Sequence, residues 1–344
     1  MSKGIVLVTG GSGYIAAFCI RQLLDEGWTV RTTVRSLGRE PEVRKTLGGA
    51  ALDPARLSFS AADLGADAGW AEAAHGADYV LHVAAPLLSD KVAHDDELVI
   101  PTREGTLRVL RAARDGGVKR VVITSSTAAV CYGHGSRSAP YTEAEWTDES
   151  NLGDTSAYER AKTLSERAAW AFMEAEGGAL ELVTVNPGAV LGPVLSGDFS
   201  VSIEIVKKLL DGSVPGYPKL GWPLVDVRDI ADLHLRAMTA PNAAGERFLG
   251  AGDFLWMSDI AEVLRARTPA LAKRLPRFRL PNWLVRVAAL FDGVLRGRLF
   301  ELDKERRVDN GKARSVLGWN PRPVADSIVD CAESLVAAGV LKPA

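Results

Sequence analysis

The sequence predicts an α/β protein built on a doubly wound parallel sheet of the Rossmann type, with a smaller and mostly C-terminal lobe. Short apolar, β-branched runs alternate with amphipathic helical patterns through the first half of the chain. The first apolar run, at 5–9, passes through a glycine-rich turn directly into a helical pattern. A strand, a tight turn and a helix N-terminus in this order form an anion-binding site, which is typical of dinucleotide-binding folds.

The predicted elements follow one another in a regular order. Apolar β-branched runs predict the strands, and apolar residues at helical spacing predict the helices between them. Strands are predicted at 5–9, 29–34, 57–60, 79–83, 121–124 and 182–186. Helices of this half are predicted at about 13–26, 67–75, 95–116 and 156–176. Ligands of such a sheet bind at the carboxyl ends of its strands, so the site residues are expected there.

The regular alternation loosens after residue 187, where proline and glycine become frequent. Shorter helices are predicted at 201–211, 257–267 and 324–338. We expect 1–190 to form the dinucleotide-binding domain, with segments near 223–250 returning to it, and 191–344 to form mainly the substrate-binding lobe. The basic and apolar stretch 269–300 is interpreted as a helix with a solvated basic face, and a helix lying on a membrane surface is the alternative.

Composition restricts the classes of function. The chain has 344 residues, of which 47% are hydrophobic and 24% charged, as in ordinary globular proteins. A formal net charge of −2 gives no electrostatic footprint for nucleic acid, and no apolar run approaches the roughly 20 residues that cross a bilayer. Cys19, Cys131 and Cys331 are widely spaced and lack ligand-spaced histidines. We therefore expect no metal, no disulfide, no cleaved signal and a cytoplasmic location.

The glycine-rich turn has the spacing G-x-x-G-x-x-A. Gly10 and Gly13 would let a pyrophosphate approach the backbone, and the helix that follows adds unpaired N–H groups at its positive end. Ala16 stands where a third glycine is usual and is still small enough for the helix to pack close to the strand. A turn of this kind also occurs without any ligand, so the assignment of a cofactor depends on further residues.

The end of the second strand distinguishes NADP(H) from NAD(H). Proteins that bind NAD usually place a carboxylate there for the ribose 2′-hydroxyl, whereas this chain places Arg35, 25 residues after Gly10. A guanidinium can bind a 2′-phosphate through two parallel hydrogen bonds, so NADP(H) is the predicted cofactor. Arg39, Arg44 or Lys45 could supply a second cation, and an ordinary charged helix explains those three residues equally well.

Other strand ends supply further candidate contacts to a cofactor. Asp63 follows the third strand, where its carboxylate could accept from the adenine amine or cap the next helix. Small residues at 83–85 would let a ribose and a nicotinamide lie against the backbone. The turn at 186–190 ends the sixth strand and is expected beside the nicotinamide.

Tyr158 and Lys162 are one turn apart on the helix that follows the fifth strand. Reducing a carbonyl requires a proton donor for the developing alkoxide and a hydrogen bond that polarises the oxygen. A phenol with a pKa of about 10 is a poor acid–base group near neutrality. We expect the Lys162 ammonium to lower that pKa and to bind the ribose hydroxyls. Either Ser125 or Ser126 could orient the substrate oxygen, and most Y-x-x-x-K pairs are merely surface residues.

Together these motifs resemble the extended short-chain dehydrogenase/reductase family, and within it the dihydroflavonol-reductase-like carbonyl and aldehyde reductases. The matching segments are 8–16, 30–35, 63–64, 81–86, 124–126, 158–162, 186–193 and 225–229, and the resemblance spans about residues 3–265. It implies Ser126, Tyr158 and Lys162 as catalytic residues. The cofactor contacts that it implies are Gly10, Ser12, Gly13, Tyr14, Ile15, Arg35, Asp63, Leu64, Val83, Ala84, Ala85, Tyr158, Lys162, Pro187 and Val190, with a looser match at Ser202.

The predicted function is the reversible reduction of an aldehyde or ketone by NADPH. One alternative is a nucleotide-sugar epimerase or dehydratase with bound NAD, against which Arg35 argues. Another is a protein that senses NADP(H) without chemistry, against which the presence of Tyr158 and Lys162 argues. The carbonyl substrate is a small molecule with an apolar pocket, and a homodimer is expected from the family alone. Candidate pocket residues, for which ordinary packing is the commoner explanation, are Leu87, Leu88, Tyr217, Leu220 and Trp222.

Overall fold

The computed structural model describes residues 3–49, 53–86, 94–135, 137–195 and 200–342, without the side chain of Val294. Ten strands and twelve α-helices lie within these ranges. The strands are Ile5–Val8 (β1), Thr29–Val34 (β2), Leu57–Ala61 (β3), Tyr79–His82 (β4), Arg120–Thr124 (β5), Glu181–Pro187 (β6), Ala189–Leu191 (β7), Gly221–Asp226 (β8), Arg247–Gly250 (β9) and Phe254–Trp256 (β10). The helices are Tyr14–Asp25 (α1), Glu40–Leu47 (α2), Trp70–Ala74 (α3), Asp96–Asp115 (α4), Ala157–Glu176 (α5), Val201–Asp211 (α6), Val227–Thr239 (α7), Met257–Arg267 (α8), Asn282–Ala288 (α9), Gly293–Arg296 (α10), Gly311–Leu317 (α11) and Val324–Ala337 (α12).

The central sheet has seven strands in the order β3-β2-β1-β4-β5-β6-β9. Every neighbouring pair in it is parallel, which confirms the predicted fold class. The chain leaves β1 toward β2 on one side and later returns to β4 on the other side of β1. The carboxyl ends of β1 and β4 therefore flank a topological switch point, where ligands of open α/β sheets bind.

Both faces of the central sheet are covered, which is why inner strands such as β1 and β4 are mostly apolar and buried, whereas the edge strand β3 alternates apolar and polar residues. Side chains of a strand point alternately to opposite faces. Val6 and Val8 pack against α1 and α7, whereas Leu7 packs on the other face against α3, α4 and α5. Ala16 in α1 is fully buried, as close packing of this helix on the sheet requires.

The smaller sheet has the order β10-β8-β7, with β7 parallel and β10 antiparallel to β8. Helices α6, α8 and α12 surround it and contribute Ile203, Ile260 and Ile328 to one apolar cluster. Helix α7 and strand β9 pack into the larger sheet instead. The division of the chain into two domains at residue 190 stays a prediction.

The stretch 269–300 differs from the single helix expected there. Its α-helices are the short α9 and α10, beside a 3₁₀ turn at Ala272–Arg274, because Pro276 and Pro281 prevent a helix from continuing through 272–281. Val285 is buried, whereas Trp283 and Phe291 are 65% and 88% exposed, so the exposed surface is apolar as well as basic. None of the helices in the described part of the chain is both long and apolar enough to cross a membrane.

Candidate active site

The glycine-rich turn lies at the carboxyl edge of the sheet, between β1 and α1. Gly10 has a φ of +72°, and a Cβ added to it would lie 2.9 Å from the Cβ of Ala84. Its N–H donates to Thr33 Oγ1 at 2.9 Å. Gly13 precedes the first helical residue with extended backbone and no side-chain cap, and its N–H donates to the Gly10 carbonyl at 2.8 Å. The N–H groups of the first turn of α1 are therefore left for an anion.

The first turn of α1 also contains Tyr14 and Ile15, two of the predicted contacts. The Tyr14 ring packs edge-on against Phe18, with ring centroids 5.7 Å apart. Its hydroxyl is buried without a hydrogen-bond partner among the described residues, and burial raises the pKa of the phenol far above its usual value. Only the backbone N–H groups of Tyr14 and Ile15 are therefore positioned to meet a bound phosphate.

The end of β2 presents the predicted cation, since Arg35 is exposed immediately after the strand. Arg39 Nη1 lies 3.2 Å from Ser12 Oγ in the glycine-rich turn. Arg44, in contrast, turns away, with its Nε bonded to Glu40 Oε1 at 2.7 Å. Of these two candidates for a second phosphate contact, the structure places Arg39 at the turn.

Thr9 and His82 hold the loop after β4 against the glycine-rich turn, a role that no motif predicted. Thr9 Oγ1 accepts from the N–H groups of Val83 at 3.1 Å and Ala84 at 3.0 Å, and lies 2.9 Å from His82 Nδ1. Burial, helped by the nearby charge of Lys162, lowers the pKa of His82 to about 3. His82 is therefore neutral at physiological pH. Both residues lie inside motifs noted from the sequence, but only the contacts reveal what they do.

Asp63 closes a turn after β3 rather than capping a helix. Its Oδ1 accepts from Gly65 N at 2.7 Å, whereas the residue that caps α3 is Gly69. Leu64, beside it, packs against Gly105 of α4. The contact of Asp63 with an adenine stays a prediction.

Ser126, Tyr158 and Lys162 meet at the carboxyl end of β5. Ser126 begins the 3₁₀ turn after the strand and accepts from Ala128 N at 3.1 Å. Tyr158 is the second residue of α5, and its phenol interacts with the Ser126 side chain. Lys162, one turn further along α5, donates from Nζ to the Thr124 carbonyl at 3.4 Å.

The start of α5 is fixed by a capping box. Ser156 precedes the helix, its hydroxyl accepts from the Tyr158 N–H, and the Glu159 carboxylate accepts from the Ser156 N–H at 2.8 Å. Glu159 is also buried. The helix therefore starts at a defined residue, which fixes the height of Tyr158 above the sheet.

The two adjacent serines point in different directions. The Ser125 hydroxyl is buried and donates to Oε2 of the buried Glu166. Ser126 is only partly buried and contacts Tyr158. The structure thus distinguishes the two serines by their partners, and the assignment of Ser126 as the catalytic serine stays a prediction.

The pKa of Tyr158 is raised in the structure, whereas we expected Lys162 to lower it. Burial raises it, while the hydrogen bond from Ser126 and the charge of Arg298 oppose the rise. Lys162 is directed at the Thr124 carbonyl instead of the phenol, so its ammonium does not lower the pKa of Tyr158 in this structure. Burial lowers the pKa of Lys162 itself to about 8, although the Glu166 carboxylate opposes that change.

A wall of aromatic and charged residues stands beside Tyr158, with Tyr132 from the segment after β5 and Trp222, Arg298 and Glu301 from the C-terminal part of the chain. Trp222 Nε1 donates to Glu301 Oε2 at 3.1 Å, and the Tyr132 hydroxyl donates to Glu301 Oε1 at 3.3 Å. Arg298 forms an ion pair with Glu301 at 3.3 Å. Of this wall the sequence suggested only Trp222, because the other three residues lie in segments without a recognisable motif.

The remaining predicted residues have varied positions. Tyr217 lies in the core of the smaller lobe. Its hydroxyl accepts from Arg265 at 2.8 Å, and its backbone N–H donates to the Phe278 carbonyl at 3.1 Å. Leu220 is buried in the same cluster. Leu87 and Leu88 lie outside the described residues. Pro187 ends β6, Val190 lies in β7, and Ser202 lies in the first turn of α6.

A cleft opens at the carboxyl edge of the sheet, between the ends of β4 and β5 and the helices α4 and α5. The residues that line it include His82, Ala84, Ala85, Thr124, Ser125, Lys162 and Glu166. Lys162 therefore borders this cleft, and Tyr158 lies one turn before Lys162 on the same helix.

The chain matches known proteins over most of its length. A family model described as the NAD dependent epimerase/dehydratase family matches residues 6–249. Cinnamoyl-CoA reductase CAD2 of Medicago truncatula is 34% identical over 277 residues, which cover 78% of this chain and 82% of that protein. Dihydroflavonol 4-reductase of Zea mays is 33% identical over 276 residues, covering 78% and 75% of the two chains. The chain belongs to this epimerase/dehydratase family, the extended short-chain dehydrogenase/reductases, as its motifs predicted.

Solved structures agree over nearly the whole chain. Gre2 from Candida albicans in complex with NADPH has a TM-score of 0.81 at 26% identity and covers 97% of this chain and 99% of its own. The yeast methylglyoxal/isovaleraldehyde reductase Gre2, complexed with NADPH, has a TM-score of 0.80 at 26% identity, with coverage of 98% and 100%. These similarities extend through the C-terminal lobe, for which the sequence offered no motif.

Proposed function

We propose that the chain reduces the carbonyl group of an aldehyde or ketone, with Tyr158 as the proton donor and Ser126 as the group that orients the substrate oxygen. At the coarser level, the chain is an NADPH-dependent reductase of the extended short-chain dehydrogenase/reductase family. The observation that carries the proposal is that Ser126, Tyr158 and Lys162 lie together at the carboxyl end of β5, on the sheet edge that also holds the glycine-rich turn.

The residues present fit NADPH. The close approach of Gly10 to Ala84 leaves no space for a side chain in the turn, and the first turn of α1 has no side-chain cap. Arg35 and Arg39 would bind the 2′-phosphate, because Arg35 is exposed at the carboxyl end of β2 and Arg39 reaches Ser12 in the glycine-rich turn. NADPH supplies a hydride when it is bound.

The protein's own groups handle the proton. The Tyr158 O–H would donate its proton to the carbonyl oxygen as negative charge develops there. The Ser126 hydroxyl would donate a second hydrogen bond to the same oxygen and so polarise the carbonyl. Since burial raises the pKa of Tyr158, the phenol keeps its proton until it is needed. Lys162, still largely an ammonium at neutral pH, would bind the ribose hydroxyls.

The substrate class is proposed from the wall beside Tyr158. Tyr132 and Phe300 pack edge-on at 6.0 Å, and Trp222 adds a third ring nearby through Glu301. Such a wall suits aromatic or otherwise apolar carbonyl compounds. The predicted homodimer and cytoplasmic location stay predictions.

The test is an initial-rate screen of NADPH oxidation against aryl aldehydes, aliphatic aldehydes, hydroxyketones and flavonoid-like ketones. We expect turnover with at least one aromatic carbonyl, and reversal with NADP+ and the corresponding alcohol. Purified protein carrying tightly bound NAD+ would instead support a nucleotide-sugar epimerase. Binding of NADPH without oxidation by any compound of the panel would favour a protein that only senses the cofactor.

A further inference from the structure

Glu166 is a buried carboxylate beneath the candidate active site, and the mechanism above does not use it. It lies on α5 one turn after Lys162, on the same face of the helix, and its side chain is 1% exposed. It also lines the cleft that contains Lys162 and Ser125. Burying a carboxylate is costly unless several donors and a countercharge compensate it, so its presence here requires an explanation.

Donors from three neighbouring strands converge on this carboxylate. Ser125, after β5, donates to Oε2, as does Asn186 Nδ2 of β6 at 2.8 Å. Thr184 of β6 donates to Oε1 at 3.1 Å, and Arg247 Nε of β9 donates to the same oxygen at 2.7 Å. Both oxygens are thus fully engaged at the carboxyl end of the sheet.

One of these donors, Asn186, also contacts the backbone of Ser126 in the candidate active site. Asn186 Nδ2 also donates to the backbone carbonyl of Ser126 at 3.1 Å. Glu166 therefore fixes the backbone on which Ser126 is presented to Tyr158, through both Asn186 and Ser125. A displacement of this backbone would move the Ser126 hydroxyl relative to the phenol.

Charged and titratable groups from every side face this region. On α5 itself, the Glu166 carboxylate acts on Lys162 and keeps its pKa higher than burial alone would. From β4, His82 faces Lys162 and is neutral, since its pKa is about 3. From β9, Arg247 pairs with Glu166 and stacks on Trp146 at 3.8 Å. Glu166 is thus the anion that acts on Lys162.

We propose that Glu166 is a positioning residue of the reductase, which fixes the backbone of Ser126 from below and supplies the countercharge of Lys162. The inference rests on the proposed function, because it assigns a role to Lys162 and Ser126 in carbonyl reduction. It adds a residue that neither contacts the substrate nor donates a proton, but determines the geometry and charge of the residues that do.

The experiment uses Glu166→Gln, which keeps the shape of the side chain and removes its charge. Without that charge the ammonium of Lys162 loses its proton at lower pH. We expect the alkaline limb of kcat/KM to move to lower pH by about one pH unit relative to the wild type. Competitive acetylation of Lys162 in cofactor-free protein, followed by mass spectrometry across pH, should show the same shift.

Two further variants separate the charge from the structural contribution. Glu166→Asp keeps the charge but shortens the side chain, so kcat falls while the alkaline limb stays near that of the wild type. Glu181→Gln is the matched control, because Glu181 pairs with the buried Arg120 at the opposite end of the same strands. We expect it to lower stability without moving the limb.

An unmoved limb and an unchanged labelling profile in folded Glu166→Gln would overturn the inference. If that variant does not fold, the double variant Glu166→Gln/Arg247→Met removes both buried charges and avoids an unpaired guanidinium. It should still show the shift, and its absence there would equally overturn the inference. Failure of this inference can be distinguished from failure of the proposed function. If the proposed function is wrong, the wild type itself reduces no carbonyl compound, but the pH dependence of Lys162 labelling can still be measured because it requires no turnover.

Discussion

The Tyr158 phenol faces the Ser126 side chain between α5 and the end of β5, and Ser126 opposes the rise that burial causes in the pKa of Tyr158. Ser125, the preceding residue, instead donates to the buried Glu166. Two consecutive hydroxyls therefore have different partners: Ser126 interacts with Tyr158, and Ser125 holds the end of β5 to α5. This difference makes the roles of the two serines separable by mutation.

Ser126→Ala should lower kcat with little change in stability, because its hydroxyl contacts Tyr158 and caps only a short turn. Ser125→Ala should cost about 1–3 kcal/mol in the free energy of unfolding, since it leaves a buried carboxylate short of a donor. Initial rates and urea unfolding of both variants check this. Equal effects of the two substitutions on kcat would contradict the assignment.

Arg35→Asp should weaken NADPH binding by about 10-fold or more and leave NADH binding unchanged or improved, because a charge-assisted contact to the 2′-phosphate is lost. Arg39→Gln should give a smaller loss in the same direction. Arg44→Gln is the control, because that guanidinium is bonded to Glu40. Dissociation constants for the two cofactors, measured by fluorescence, provide the comparison, and an unchanged preference in Arg35→Asp argues against the phosphate site.

Gly10→Ala should impair NADPH binding and stability together. Its φ of +72° is unfavourable for a side chain by about 1–2 kcal/mol, and the new Cβ would press on Ala84. Gly76→Ala is a matched control, since Gly76 has a φ of +69° but no atom within 4 Å of the new Cβ. It should cost a similar backbone strain while leaving cofactor affinity intact. Equal affinities in the two variants would show that the contact with Ala84 is unimportant.

Buried His234 should make the protein less stable in acid. It pairs with Thr124 Oγ1 and the Ile230 carbonyl, both at 2.7 Å, and burial lowers its pKa from 6.5 to about 4. Between these values the unfolded chain binds the additional proton, so the free energy of unfolding falls as pH falls through that window. His234→Gln should reduce this slope in urea titrations from pH 7 to 4, whereas a change at the exposed His75 should leave it intact. Buried His82, with a pKa of about 3, contributes its own slope over the same window, so only a slope in His234→Gln as steep as that of the wild type would contradict this origin.

Much of the fold follows from local pattern. Strand-helix alternation predicted the parallel sheet, and the helix expected at 156–176 begins one residue later, where Ser156 and Glu159 form a capping box. Residues close in sequence to a strand end, such as Arg35 and the Ser125–Ser126 pair, could be proposed for the same reason, whereas the choice of Ser126 rested on the family resemblance.

Contacts between distant segments could not be predicted from local sequence pattern. Glu301 joins Trp222 and Tyr132 from another part of the chain, so no local pattern predicts it. The pKa of Tyr158 was also misjudged, because the sequence shows that Lys162 is one turn away but not that its ammonium is directed at the Thr124 carbonyl.

The central claim, that Tyr158 donates the proton, is tested most directly by NADPH oxidation in Tyr158→Phe. Tyr141→Phe is the matched control, because Tyr141 is a buried tyrosine whose hydroxyl has no partner among the described residues. We predict that Tyr158→Phe loses about 10²–10⁴-fold in kcat while NADPH binding is retained, and that Tyr141→Phe keeps wild-type rates. A Tyr158→Phe enzyme that turns over a carbonyl substrate at the rate of Tyr141→Phe would contradict it.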